Sequence, residues 1–438
     1  MKRFIDTIKN IFSIEELRTR ILNTLLFITV FRLGSFVVLP GVEPDLMAVS
    51  TGGLLGLLDT FLGGAFSKAS IFALGIMPYI SASIAIQLLT MAMPYFQKMQ
   101  KEGESGRKKL NQITRVLTIV VTFAQGLTYL TTTVPDEALL VPRSIFTVSS
   151  IFILISGTMF CMWLGERITD KGVGNGISML IMIGIVSRFP GSIYQEFASR
   201  GSGGILIFVL ELVALYFVIM AAVMLTQAVR RVPIQYAKQV VGNRAVGLGQ
   251  RQYLPLKVNA AGVMPIIFAQ ALMFLPTAVF GAFAEDSDFA ANAATVFADF
   301  TSWQYSLLYA LLIIVFTFFY TAISVNPQQI ADDMKRGGGF VPGVKPGQQT
   351  SDYISTILDR ITFPGSIMLA VVAILPAFAA ILGMTTSFAQ FFGGTSLLIM
   401  VGVVLDTLQQ VESYLLMRRY EGLMKSGRIK GRAESLAV

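Results

Sequence analysis

The chain has 438 residues, 54% of them hydrophobic and only 14% charged, with a net charge of +8. Soluble domains carry about 25% charged residues, so this composition points to a polytopic membrane protein. There is no histidine and a single cysteine, Cys161, which excludes an intrachain disulfide, a Cys/His metal site, a Ser-His-Asp triad and an HExxH centre.

Residues 2–20 place Phe4, Ile5, Ile8, Ile11 and Phe12 near one helical face and predict a helix lying on the membrane surface. The first apolar run, 21–39, is too long for the core of a cleaved signal peptide, and no small-residue cleavage site follows it. Next comes a short apolar stretch, 53–64, bounded by Gly52-Gly53 and Gly63-Gly64 and carrying Asp59. As a helix it reaches about 18 Å, short of the ~30 Å hydrocarbon core. Lipid cannot satisfy the backbone groups at its ends, so it belongs in protein or in a water-filled cavity. Gly53, Leu54, Leu57, Asp59, Phe61 and Gly64 are therefore expected to form a re-entrant plug, and the following run, 69–92 with Pro78 inside it, to line a pore.

Ten long apolar segments can be read: 21–39, 69–92, 114–134, 147–165, 176–190, 205–228, 260–283, 305–325, 363–383 and 390–411. The expected fold is all-α, with ten transmembrane helices. Five spans fall in residues 1–195 and five in 200–411, followed by a tail, 412–438. An odd number per half makes the second half enter from the opposite side, the arrangement of an inverted repeat. Most of the 34 Lys and Arg residues fall on the side of the N-terminus, leaving Lys68, Arg143, Arg188 and Arg200 on the other. Both termini are therefore expected in the cytoplasm. Two long cytoplasmic loops result, 229–259 with six basic and no acidic residues, and 326–362 with a glycine-rich centre from Gly337 to Gly347. The first is suited to polyanions or acidic protein surfaces, and equally to anionic lipid.

Catalytic signatures are missing. No Gly-Lys dipeptide exists, so there is no Walker A loop, and Gly172-x-Gly174-x-Gly176 follows no strand. The spans lack the paired carboxylates of an intramembrane protease or proton relay. The chain is not expected to be an enzyme or to bind a cofactor, and energy for directed transport must come from a partner or the membrane potential. The spans offer branched aliphatics instead: Ile76 and Ile80, then Ile177 and Ile181, each pair four residues apart and on one helical face. Such residues converging at mid-membrane can close a pore by dewetting. They equally suit packing or lipid contact.

Longer motifs narrow the choice. ASIFALGIMPYISASI (Ala69 to Ile84), the basic run Lys101 to Lys109, GTMFCMWLGERITDKGVGNGIS (Gly157 to Ser178), LPLKVNAAGVMP (Leu254 to Pro265), FFYTAISVNPQQIADDMKRGGGFVPGVKPGQQT (Phe318 to Thr350) and FGGTSLLI (Phe392 to Ile399) resemble the SecY family across the whole chain. That family supplies the central subunit of the bacterial protein-conducting channel. The resemblance implies a plug at 53–64, a pore ring of Ile76, Ile80, Ile177, Ile181, Ile267 and Ile399, and a lateral gate with Ser81, Gln125 and Asn259, whose helices Pro78 and Pro265 would help to bend. It implies partner contacts through Arg230, Arg231, Lys238, Arg244, Lys335, Arg336 and Lys345, the last standing where the family usually has arginine. Expected partners are the SecE and SecG subunits, the SecA motor, the ribosome, signal peptides and nascent chains, and membrane lipids. The expected location is the bacterial plasma membrane. A secondary solute transporter, which also favours inverted repeats, is the competing reading, and a ribosome receptor or scaffold is a third.

Overall fold

The computed structural model describes residues 14–43, 46–47, 59, 62–201, 204–236, 239–241, 244–246, 251–282 and 288–425. Most of the predicted surface helix, 2–13, lies outside these residues. The chain is predominantly helical and divides into two compact units. One comprises Met1–Pro190 with Val403–Val438, the other Gly191–Gly402.

In the first unit, α1 (Glu15–Gly34) starts with Glu15 and Glu16 in its first turn, where carboxylates favour the positive end of the helix dipole. An irregular stretch, 62–76, follows the predicted plug. The helix α2 (Met77–Ala92) comes next and stops at Met93, because Pro94 disfavours helical backbone in the residue before it. The chain bends by 103° there into α3 (Pro94–Lys101). The helix α4 (Glu104–Thr132) has 29 residues. At 1.5 Å each it is about 43 Å long and outruns the hydrocarbon core. It packs on α2 and on α5 (Arg143–Lys171), which in turn packs on α1. A glycine turn leads into α6 (Gly176–Arg200). Gly174 adopts φ +86° and donates its N–H to Gln410 Oε1 at 2.8 Å, while Val173 N–H reaches Thr24 Oγ1 at 3.0 Å. The three spaced glycines thus make a packing turn. Asn175 Oδ1 caps α6 by accepting from Ile177 and Ser178 N–H.

The second unit contains α7 (Ile205–Gln227), α8 (Met264–Ala282), α9 (Asp288–Ala298), α10 (Trp303–Ser324), α11 (Pro327–Arg336) and α12 (Gln348–Ile381). A short α13 (Thr386–Ala389) and a 3₁₀ turn lead into α14 (Gly394–Lys425), whose later part belongs to the first unit. Ser302 Oγ caps α10, and Asn326 Oδ1 caps α11 with Pro327 in the first turn.

Each of the ten apolar segments contains helix. Seven helices among the described residues are long and apolar enough to cross a membrane, or up to eight if the bent α2–α3 pair is one span. Two of the three segments that fall short have local causes. Charges at Glu15, Glu16, Arg18 and Arg20 crowd the start of α1, and the run 69–92 is helical only from Met77.

The sequence assigns no strands, yet five occur among the described residues. β1 (Val229–Tyr236) pairs antiparallel with β4 (Arg251–Lys257), and β5 (Gly339–Phe340) joins the other edge of β1. β2 (Gln239–Val241) and β3 (Arg244–Val246) form a separate ladder. The two long loops are therefore one folded module. Val232, Ile234, Leu256, Met334, Val341, Ile354 and Leu358 form its buried core, with the first half of α12 as its floor.

Candidate functional site

The last described residues of the predicted plug are held tightly. Asp59 is 2% exposed and accepts two hydrogen bonds, from Ser67 N–H at 2.9 Å and from the guanidinium of Arg188 on α6, with which it forms an ion pair. Arg32 on α1 donates to the Gly63 carbonyl at 3.4 Å. Gly63 and Gly64 adopt φ +63° and +91°. A side chain at either would run into the guanidinium of Arg32 or Arg188, so glycine is required for both conformation and space. Tyr129 Oη on α4 donates to the Phe66 carbonyl at 2.7 Å, and its ring packs on Phe66 at 4.7 Å. Gly53, Leu54, Leu57 and Phe61 lie outside the described residues.

Four of the six predicted ring residues come together. Ile76 is buried in a cluster with Phe31, Phe72, Cys161, Leu164, Ile168 and Leu180, and half-buried Ile80, Ile177 and Ile181 pack against it. Close helix contact makes this possible. A Cβ on Gly176 would strike the Gly165 carbonyl, and one on Gly157 the Ile71 carbonyl. Ile267 and Ile399 lie in the second unit. Ile267 is half-buried in the first turn of α8, and Ile399 is 7% exposed on α14. Thr395 Oγ1 donates to Gln270 Oε1 at 3.1 Å, linking α14 to α8 one turn from each isoleucine.

The polar gate positions differ in setting. Ser81 is exposed and donates back to the Met77 carbonyl at 3.2 Å. Gln125 is half-buried on α4. Asn259 is buried, and its Oδ1 has no hydrogen-bond partner among the described residues. Pro78 and Pro265 do not act as expected. Each is the second residue of its helix, Met77–Ala92 and Met264–Ala282. An N–H there has no intrahelical acceptor, so these prolines initiate their helices and remove no bond from the interior.

Arg230, Arg231, Lys335, Arg336 and Lys345 are exposed on the loop module. Arg231 stands opposite Pro255, and exposed Tyr253 opposite Pro233. Lys238 and the side chain of Arg244 lie outside the described residues.

Sequence reasoning missed a buried charge network in the second unit. Arg200 bonds Glu196 Oε1 at 2.9 Å, Glu211 Oε1 at 2.5 Å and the Gly383 carbonyl at 2.9 Å. Glu196 Oε2 accepts from Thr385 N–H at 2.8 Å and Thr385 Oγ1 at 2.5 Å. The available signal was Glu211 itself, a carboxylate inside an otherwise apolar span that demands a partner. Arg188 likewise reads in sequence as an ordinary span-end charge.

A family model described as SecY matches residues 70–408. The protein translocase subunit SecY of Halalkalibacterium halodurans is 45% identical over 96% of this chain and 99% of its own length. Among solved structures, one described as the structure of a protein conducting channel aligns with a TM-score of 0.64 at 14% identity, covering 90% of this chain and 92% of that one. Sec61 in the canine ribosome-channel complex from the endoplasmic reticulum aligns with a TM-score of 0.59 at 14% identity, with the same coverage. These two likenesses bear on fold and agree with the helical architecture. The solute-transporter reading gains no support from any of these matches. Family match, near full-length identity and fold agree: this multi-pass membrane protein belongs to the SecY family of protein translocase subunits.

Proposed function

We propose that the chain is the channel of a bacterial plasma-membrane translocase, passing unfolded secretory polypeptides outward and releasing apolar helices sideways into lipid. The observation that carries this reading is the gathering of Ile76, Ile80, Ile177 and Ile181 on one apolar cluster, next in the chain to a stretch too short to span. Stiff β-branched side chains can close round a passing chain while admitting little water. The family resemblance adds Ile267 and Ile399 to the ring, residues 53–64 as the plug, and Ser81, Gln125 and Asn259 as gate positions.

In this reading the chain performs no covalent chemistry, and a partner supplies the energy. Both termini face the cytoplasm, because the basic loops do. The loop module then presents Arg230, Arg231, Lys335, Arg336 and Lys345 to a cytoplasmic partner, either the SecA motor or the ribosome. Contacts to ribosomal RNA phosphates would weaken steeply with salt. SecE and SecG complete the proposed assembly.

The test is a stalled secretory chain carrying a photo-reactive or thiol-reactive residue, in a Cys161→Ser background with single cysteines at the isoleucine positions. Adducts at Ile80, Ile181 and Ile267 are expected. Adducts confined to lipid-facing positions such as Leu206 or Phe152 would overturn the assignment.

A further inference from the structure

Between α12 and α14 the backbone is irregular and yet buried. Phe388, Ala389, Gln390, Phe391 and Phe392 are each at most 5% exposed. They belong to α13, which packs on α12, and to the 3₁₀ turn, which packs on α12 and α7. The segment ends without slack. A Cβ on Gly393 would strike the Val372 carbonyl, and Gly394 takes φ +63° to start α14. It begins differently, in the exposed turn at Leu382 and Gly383. There α6 takes hold. Arg200 donates to the Gly383 carbonyl, and buried Glu196 accepts from Thr385 N–H at 2.8 Å and Thr385 Oγ1 at 2.5 Å. Beyond the segment, Thr395 and Ile399 are four residues apart on α14, and Ile267 and Gln270 three apart on α8, so each pair shares a helical face. The Thr395–Gln270 bond therefore joins the faces that carry Ile399 and Ile267. All these residues fall within the second unit.

Charge balance singles out Glu196. Arg200 already has Glu211 as a buried partner, so neutrality calls for no second carboxylate. A surplus buried carboxylate is costly, and such groups are kept where they fix one arrangement against others. What Glu196 adds is the double bond to Thr385. We infer that Glu196 is a positioning residue for the proposed pore ring: it pins segment 385–393, and this closely packed segment sets the axial position and rotation at which α14 begins, and so where Ile399 and Ile267 stand. This role rests on the reading of Ile399 and Ile267 as ring members.

The test reads thiol accessibility in the full translocase complex in proteoliposomes, without substrate. Ile399→Cys in a Cys161→Ser background is labelled with a water-soluble maleimide. Adding Glu196→Ala is expected to speed labelling on the order of tenfold, because a position only 7% exposed opens when α14 loses its mount. This variant leaves the Arg200–Glu211 pair in place, so no charge is stranded. Thr385→Val deletes one of the two bonds and is expected to speed labelling about threefold, while Thr385→Ser, which keeps the hydroxyl, matches the parent. Two controls report loosening that is not specific to α14. Ile313→Cys, at a fully buried position on α10, reports the second unit, and the native Cys161, fully buried on α5, reports the first. Glu196→Ala is expected to leave both as slow as in the parent. Acceleration at either control as large as at position 399 would overturn the inference, as would no acceleration at position 399. Adducts from a stalled secretory chain separate the positioning role from the ring. If they form at position 399 of the parent and Glu196→Ala changes no labelling, the positioning role is wrong and the ring stands. If they never form there while Glu196→Ala still exposes position 399, the ring reading fails and the mount remains.

Discussion

Replacing Arg200 with methionine is expected to destabilise the second unit by about 3–5 kcal/mol, the cost of leaving a buried carboxylate without its counter-charge. The geometry sets this size. One guanidinium serves Glu196, Glu211 and the Gly383 carbonyl at 2.9, 2.5 and 2.9 Å. Glu196 is 0% and Glu211 3% exposed, so water does not take over the vacated positions. Methionine keeps the apolar stem and deletes the head, which makes the loss electrostatic. Arg200→Lys retains the charge without the planar fork, and a loss of about 1–2 kcal/mol is expected. Glu211→Gln is expected to cost about 1 kcal/mol or less, since it removes one of two negative charges that share a single cation. Glu211 Oε2 already lacks a hydrogen-bond partner among the described residues. The assay is denaturant unfolding of the purified complex in detergent. Trp303 fluorescence reports the second unit in a Trp163→Phe background, because the chain has only two tryptophans. Two results would refute the reasoning: Arg200→Met within ~0.5 kcal/mol of the parent, or Glu211→Gln as costly as Arg200→Met.

Three further outcomes are expected. Ile354→Ala opens a cavity in the core of the loop module and is expected to cost about 2–5 kcal/mol, read as faster protease cleavage in both 229–259 and 326–362. Pro78→Ala is expected to change the unfolding midpoint by less than the equivalent of ~0.5 kcal/mol, because position two of a helix needs no donor; a gain near 3 kcal/mol would restore the kink reading. Gly176→Ala drives a methyl group into the Gly165 carbonyl and is expected to cost about 1–3 kcal/mol, seen as a lower melting temperature of the complex.

The spans were legible because lipid forces backbone groups to be satisfied within each segment, and long apolar runs follow from that. Helix boundaries were less so. Hydropathy registers the apolar run 69–92 but not that Gly75 and the turns before it delay the helix to Met77, and so Pro78 looked internal. The β-hairpin was hidden for a different reason. Val232 with Ile234 and Leu254 with Leu256 alternate as strands do, but Pro233 and Pro255 interrupt the signal, and proline normally argues against a paired strand. The third strand, Gly339–Phe340, is only two residues long and lies about a hundred positions away. Asp59 with Arg188 is another pairing across more than a hundred residues, which no local pattern encodes. The four clustered isoleucines were named from spacing as two pairs, and only the family resemblance joined the pairs into a ring.

The helix Gln348–Ile381 is a single rod of 34 residues. Its first part is seated in the loop module through Ile354 and Leu358, and its later part packs among apolar helices. In the proposed reading, a force applied to the loops by a docking partner would not dissipate in slack chain. It would travel along the rod as tilt or thrust, and the places where the rod can yield are Pro364 and Pro376, each short of one backbone bond. Mechanical work done on the loop module would in this way be delivered to the apolar helices with the directness of a crank.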